Sequence, residues 1–261
     1  MKFKAAFIAV LLAVCLTALP TAAKAQVAVD LQLVLAVDVS GSVDSSEFAL
    51  QRDGYVNAFR NPVIVQAIQA GTIGQIAVTY VYWSSASQQT QSVNWTLVSD
   101  AASASAFADA VAAAPRPFSG LTAIGAAIDY SAGLFANSGF DSAREVIDIS
   151  GDGSNNDGRA PSLARDDFMA GSPDGVQRAI NAIAIQSLGL VSYFESNVQA
   201  GNNSFTLFAA NFADFEGAIL DKLFREITGG PNGVPEPGTL ALLGLGLIGM
   251  AARRRRNVAA V

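Results

Sequence analysis

The sequence predicts an α/β fold: a single domain built on a doubly wound, mostly parallel sheet flanked by helices on both faces. Three observations predict it. Residues 31–37 form an almost unbroken apolar run that ends in Asp38, the pattern of a strand buried on both faces. Further short apolar runs alternate with stretches of helical spacing, as in a sheet of crossover units. The polar, glycine-bearing loops fall after strands or before helices, near the strand ends where open parallel sheets gather ligands.

The elements follow in order. Residues 44–59 carry Phe48, Tyr55 and Phe59 at helical spacing, and Asp44 or Ser45 can cap the start. Residues 76–83 are β-branched and aromatic and predict a strand. Residues 92–97 alternate with polar side chains and predict a short strand nearer the sheet edge. Residues 101–113 are an alanine-rich helix closed by Pro115 and Pro117. Residues 123–135 predict another helix, and residues 145–149 a short strand. Residues 159–177 read as a helix followed by a surface turn at Ser172, Pro173, Asp174 and Gly175. Residues 179–185 predict a strand, 187–198 a helix and 205–209 the last strand. Asn211 is expected to cap a final helix with Phe212, Phe215, Ile219, Leu223, Phe224 and Ile227 on one face.

The ends of the chain differ in character. Lys2 and Lys4, the apolar run 5–19 and Ala23-Lys24-Ala25 follow one another as in a secretory signal peptide, which places residues 1–25 in a segment removed before Gln26. Residues 229–234 hold Gly229, Gly230, Pro231, Asn232 and Gly233 and read as a linker. Pro235-Glu236-Pro237 follows, then the apolar residues 239–252 and the arginine cluster 253–256. As a helix that apolar stretch reaches about 21 Å, short of a bilayer core of about 30 Å. The basic cluster favours the cytoplasmic side, so the segment reads as a transient anchor. Residues 235–256 together resemble the PEP-CTERM sorting signal. That resemblance implies recognition by an exosortase-type membrane enzyme in a Gram-negative bacterium, and export in connection with extracellular polysaccharide.

Between the two signals, residues 26–234 carry 21 carboxylates against 9 basic side chains, a net charge of −12. Such a surface repels nucleic acid and anionic polymers unless a cation intervenes, and no nucleic-acid partner is expected. The same residues contain no cysteine and the chain contains no histidine. Disulfides, thiolate sites, Ser-His-Asp triads and His-rich zinc sites are thereby excluded from them. A metal bound here takes oxygen ligands, which points to Mg²⁺, Mn²⁺ or Ca²⁺.

Three loops supply such oxygens: Asp38-Val39-Ser40-Gly41-Ser42, Ser119-Gly120-Leu121-Thr122 and Ser150-Gly151-Asp152-Gly153. Carboxylates facing each other across a sheet repel strongly, and a hard divalent ion between them relieves that repulsion. Trp83 and Ser84 end a strand on the same side and either line the ligand surface or, for Trp83, pack in the core. Ser150, Asn155, Asn156 and Asp157 read as shaping loops.

Asp38, Ser40 and Ser42, with the distant Thr122 and Asp152, resemble the metal-ion-dependent adhesion site (MIDAS) of von Willebrand factor type A domains. The resemblance runs over residues 30–228, and the text around the three loops looks like a bacterial exported subfamily of unknown function. It implies that Ser40, Ser42 and Thr122 offer hydroxyls to one divalent cation, Mg²⁺ before Mn²⁺ or Ca²⁺. Asp38 and Asp152 would bind it directly or through water. One position would stay open for an acidic group of a protein or polysaccharide partner. The chain is then expected to be an exported binding protein of the cell surface or matrix, not an enzyme. Two alternatives stand beside it. One is a structural envelope component whose ion only stabilises the fold. The other is a Mg²⁺-dependent phosphatase-like enzyme with Asp38 as nucleophile; such enzymes need an aspartate two residues on, where Ser40 stands.

Overall fold

The structure, a computed structural model, describes residues 26–230. The expected signal peptide (1–25), most of the linker and the sorting segment (235–256) lie outside the described residues. Chain order is β1 (Val27–Ala28), β2 (Leu31–Asp38), α1 (Ser45–Arg60), α2 (Pro62–Gln69), β3 (Ile76–Trp83), β4 (Gln89–Val98), α3 (Ala101–Ala113) and α4 (Ile124–Phe135). It continues with β5 (Phe140–Asp141), β6 (Arg144–Gly151), α5 (Pro161–Ala170), β7 (Gln177–Ile185), α6 (Leu188–Asn197), β8 (Ala200–Gly201), β9 (Thr206–Ala209) and α7 (Phe215–Thr228).

The main sheet has the order β4-β3-β2-β6-β7, with β8 and β9 sharing the far side of β7. Strands β3, β2, β6, β7 and β9 are parallel, while β4 and β8 run antiparallel to their neighbours. The doubly wound, mostly parallel sheet expected from the sequence is therefore present. The two-residue strands β1 and β5 pair separately.

Both faces of the sheet are covered, and the pleat of β2 shows why its sequence is apolar from Leu33 to Val37. Leu33, Leu35 and Val37 join a core with Tyr55 and Phe59 of α1, Ile64 of α2, Phe107 of α3 and Phe215, Ile219 and Leu223 of α7. Val34 and Ala36 point the other way, to Ile124 and Ile128 of α4, Phe168 of α5 and Phe194 of α6. Burying one such side chain contributes about 1.5–3 kcal/mol.

Local signals set most helix starts. Asp44 caps α1 in a capping box: its Oδ1 accepts from the Ser46 and Glu47 amides, and Glu47 Oε2 accepts from the Asp44 amide at 2.8 Å. Helix α2, absent from the sequence reading, starts at an Asn61 cap followed by Pro62 in the first turn. Helix α7 begins later than expected. Asn211 Oδ1 accepts from the Asp214 amide at 3.0 Å and so closes a turn ahead of the helix rather than capping it. Gly229, at φ 67°, ends α7 in the left-handed conformation that favours glycine.

The winding fixes where chemistry can occur. From β2 the chain crosses to β3 on one side, and from β6 it crosses to β7 on the other. The adjacent carboxyl ends of β2 and β6 thus form the switch point of the sheet, where ligand crevices open.

Beneath that point a buried ionic cluster fastens α7 to the sheet. The Lys222 ammonium pairs with Asp148 of β6 and, at 2.8 Å, with Glu226 one turn on. The Asn181 side-chain amide donates to Glu226 Oε1 at 3.0 Å, and its oxygen accepts from the Phe205 amide. All four side chains are buried. Two carboxylates share one ammonium there, and Arg144 acts on Glu226 electrostatically from the side. Burial, reinforced by Glu226 and opposed by Lys222, raises Asp148 to about 7.

Two outcomes follow. Lys222→Met leaves two buried carboxylates without their shared ammonium and should lower the unfolding free energy by about 3–5 kcal/mol, measured by urea denaturation. Because the folded state holds the Asp148 proton more tightly than the unfolded state, its contribution is present at low pH and fades as pH rises from the ordinary carboxylate range toward 7. The wild type should therefore lose more stability across that window than Asp148→Asn does; parallel pH profiles would contradict this.

Candidate metal centre

Asp38 is the last residue of β2 and lies fully buried beside Trp83 of β3. The chain turns at once, because the Ser40 amide donates back to Asp38 Oδ1 at 2.7 Å. That turn brings the Ser40 and Ser42 hydroxyls to 3.1 Å from each other. Ser42 Oγ then donates to Asp152 Oδ1 at 2.7 Å, which joins the first loop to the loop after β6. Thr122 completes the group. Its Oγ1 lies 3.7 Å from where a side chain on Gly153 would begin, directly beside Asp152. The structure thus gathers all five residues singled out in the sequence at the switch point.

Glycine makes the approach possible at two places. A Cβ on Gly151 would come within 3.1 Å of Asp38 Oδ2, and one on Gly41 within 3.3 Å of the Gly120 carbonyl. The Gly41 amide uses that closeness and donates to the Gly120 carbonyl at 2.7 Å, locking the first and second loops together.

The electrostatics leave one demand unmet. Asp38 Oδ2 is buried and has no hydrogen-bond partner among the described residues. Burial, with the charge of Asp152 added, raises Asp38 to about 7 despite the Ser40 amide. Asp152 is raised as well, by burial first and by Glu47, with Ser42 opposing. A buried acceptor of this kind costs free energy until a cation or donor meets it. Two carboxylates, one of them with an orphaned oxygen, and three hydroxyls suit a hard divalent ion. Among the described residues no group of three or more His, Cys, Asp or Glu could hold a metal, so a metal held here would need the hydroxyls as well.

Residues with no motif hold the loops. The Arg116 guanidinium donates to the carbonyls of Val39 and Ser40 at 3.0 and 2.8 Å and to that of Phe118, and it lies over the Phe48 ring. A basic residue thus stands beside the first loop and grips its main chain. Gln51 of α1 donates to the Asp38 carbonyl at 2.8 Å. Asn156 clamps Thr122: the Thr122 amide donates to Asn156 Oδ1 at 2.8 Å, and the Asn156 amide donates to the Thr122 carbonyl at 2.9 Å. Ser84 accepts from the Gly120 amide and donates to the Leu121 carbonyl. Trp83 is wholly buried in the core, and Asn155, Asn156 and Asp157 shape loops, as their sequence suggested.

This is the fold of a von Willebrand factor type A domain. The structure resembles proximal thread matrix protein 1 from the mussel byssus at a TM-score of 0.56, with 15% identity over 78% of this chain and 49% of that one. Another structure of that protein is described with a zinc-occupied MIDAS motif. A von Willebrand factor type A protein from Catenulispora acidiphila matches at 0.53, with 12% identity over 76% of this chain and 43% of that one. The pilus adhesin SpaC from Lactobacillus rhamnosus GG matches at 0.52, with 17% identity over 77% of this chain and 30% of that one. The chain thus spans half or less of these proteins, and identities this low speak for the fold alone. In sequence, residues 28–231 match the family described as "Protein of unknown function (DUF1194)", and the chain belongs to it. Residues 233–256 match the PEP-CTERM protein-sorting motif. No curated protein matches the chain.

Arg116→Ala should free the two carbonyls of the first loop. A hydrogen bond to a charged group contributes about 1.5–3 kcal/mol, so amide exchange over residues 39–43 should quicken at least tenfold, read by hydrogen–deuterium exchange. Arg165→Ala, on the surface of α5, should leave those amides unchanged.

Proposed function

We propose that this chain is an exported binding protein of the cell surface or extracellular matrix, and that its ligand site is a single divalent metal ion held by Asp38, Ser40, Ser42, Thr122 and Asp152. The observation that carries the reading is the buried, unpartnered Oδ2 of Asp38 beside two hydroxyls and a second carboxylate. Ser40, Ser42 and Thr122 would supply neutral oxygens, and Asp38 and Asp152 the charge. Mg²⁺ fits this hard oxygen set first, with Mn²⁺ or Ca²⁺ able to replace it. When bound, the ion supplies a positive charge to which a carboxylate from a partner can dock.

The net charge of −12 between the terminal signals supports this choice. An acidic partner is repelled by most of the surface and attracted where a cation sits. Exposure supports a binding role over a closed, purely stabilising ion: Ser42 is exposed and Asp152 half-buried, so the donor set opens to solvent. The PEP-CTERM motif supports export and processing by an exosortase-type enzyme, with residues 1–25 as the signal peptide and the C-terminal apolar segment as a transient membrane anchor. An adhesin and a matrix protein among the solved structures are in keeping with a binding role rather than an enzymatic one.

Asp38→Asn separates the charge from the shape. In chelator its unfolding free energy should equal or exceed that of the wild type, because a buried unpaired charge is gone. Adding Mg²⁺ should raise the melting temperature of the wild type and leave the variant unmoved. Equal Mg²⁺ responses in the two proteins would sink the ligand assignment.

A further inference from the structure

The proposed metal site shares a wall with a cleft of about 460 Å³ that opens between the loop after β6 and the start of α6. Asp152 belongs to both. Ser154, Ser187, Leu190 and Tyr193 form the rest of its principal lining. The Tyr193 hydroxyl accepts from the Asn155 amide at 3.2 Å, which ties the ring to the metal-side loop. Leu190 and Tyr193 give the cleft an apolar wall, while the two serines give it hydroxyls.

Two exposed leucines adjoin residues of the site and the cleft in sequence. Leu188, next to Ser187, is 70% exposed, and Leu121, next to Thr122, is 53% exposed. The turn that carries Leu188 is fixed at a cost. Gln186 adopts φ 68°, a left-handed conformation unusual for a residue other than glycine. It is held by its amide donating to the Ala209 carbonyl and by its side chain donating to Glu47 Oε1 at 2.8 Å. Glu47 lies in the first turn of α1, the helix that follows Asp38, Ser40 and Ser42. The far wall of the cleft is therefore registered to the same helix as the first metal loop.

Charge decides among acidic partners. No lysine or arginine lines the cleft, and Asp152 contributes a carboxylate to it. A polymer with an acid on every repeat would bring a second anion into that cleft, on a domain already carrying −12. A polypeptide can place one carboxylate at the ion and an uncharged side chain beside it. Exposed leucines gain from covering by apolar surface, which a peptide offers and a hydroxylated sugar chain mostly lacks.

We infer that this cleft is the specificity pocket of the metal site and that its occupant is a polypeptide. The partner's acidic residue reaches the ion, and an aliphatic side chain close to it in sequence seats against Leu190 and Tyr193 under Leu188. This rests on the metal reading above.

The test is a selection of phage-displayed random peptides on the folded domain in Mg²⁺, followed by affinity measurements on the enriched peptides and on an oligouronate. The enriched peptides should share an Asp or Glu with Leu, Ile, Val or Met within two positions. Replacing that aliphatic residue with Ser, or introducing Leu188→Glu at its exposed site, should weaken binding at least tenfold. Ser154→Arg, also at an exposed position, should shift preference toward peptides with a second acid. Chelator-sensitive binding with no aliphatic requirement, or an oligouronate that outbinds every peptide, would overturn the inference and leave the metal reading standing. Peptide binding that survives both chelator and Asp38→Ala would overturn the metal reading and the inference with it.

Discussion

The Asp38 carboxylate is buried at the end of the central strand with one oxygen that nothing among the described residues satisfies. Much of the local structure follows from that placement. Strand β2 delivers it, the Ser40 amide turns the chain around its other oxygen, and Ser42 carries the contact across to Asp152 on the neighbouring strand's loop. Glycines 41 and 151 allow the loops to close around it. The result is a concentration of negative charge and hydroxyl oxygen at the switch point of the sheet, with Arg116, Gln51 and Asn156 holding the surrounding main chain.

A comparison within the molecule shows what that arrangement lacks. The domain buries a second group of carboxylates, Asp148 and Glu226, under the sheet face covered by α7. There it supplies its own cation, Lys222, from the same helix. Beside the Asp38 loop the basic Arg116 is engaged with main chain, the carbonyls of Val39, Ser40 and Phe118. One buried acidic cluster is compensated internally and serves stability. At the other, among the described residues, no basic side chain pairs with Asp38 or Asp152, and the loops lie where the sheet opens to solvent.

The parts of the fold set by strong local patterns were legible. The apolar run of β2, the β-branched β3 and the amphipathic α1 and α7 each follow from side-chain periodicity, and the polar alternation of β4 correctly placed it at the edge. Strands β1, β5 and β8 are two residues long and exist only through pairing with distant segments, so no local pattern marks them. Helix α2 carries a readable start signal in Asn61-Pro62 but is only eight residues long and follows α1 directly. Asn211 was a fair cap candidate, but its side chain satisfies a turn first. That the five candidate residues gather was legible from the Asp38-x-Ser40-x-Ser42 spacing together with the resemblance that singled out Thr122 and Asp152. Arg116, Gln51, Ser84 and Asn156 were not, because each acts on the backbone of a loop far from it in sequence and belongs to no pattern. The strained Gln186 and the cleft beside it likewise depend on tertiary contacts with Glu47 and Ala209.

The central claim is that the orphaned oxygen of Asp38 marks a metal site. A crystal structure of the folded domain grown with Mn²⁺, with anomalous differences recorded, tests it most directly. One strong peak is expected within bonding distance of the Ser40 and Ser42 hydroxyls, flanked by Asp38, Thr122 and Asp152. A map with no peak there at saturating Mn²⁺, or with its only peak elsewhere, would contradict it.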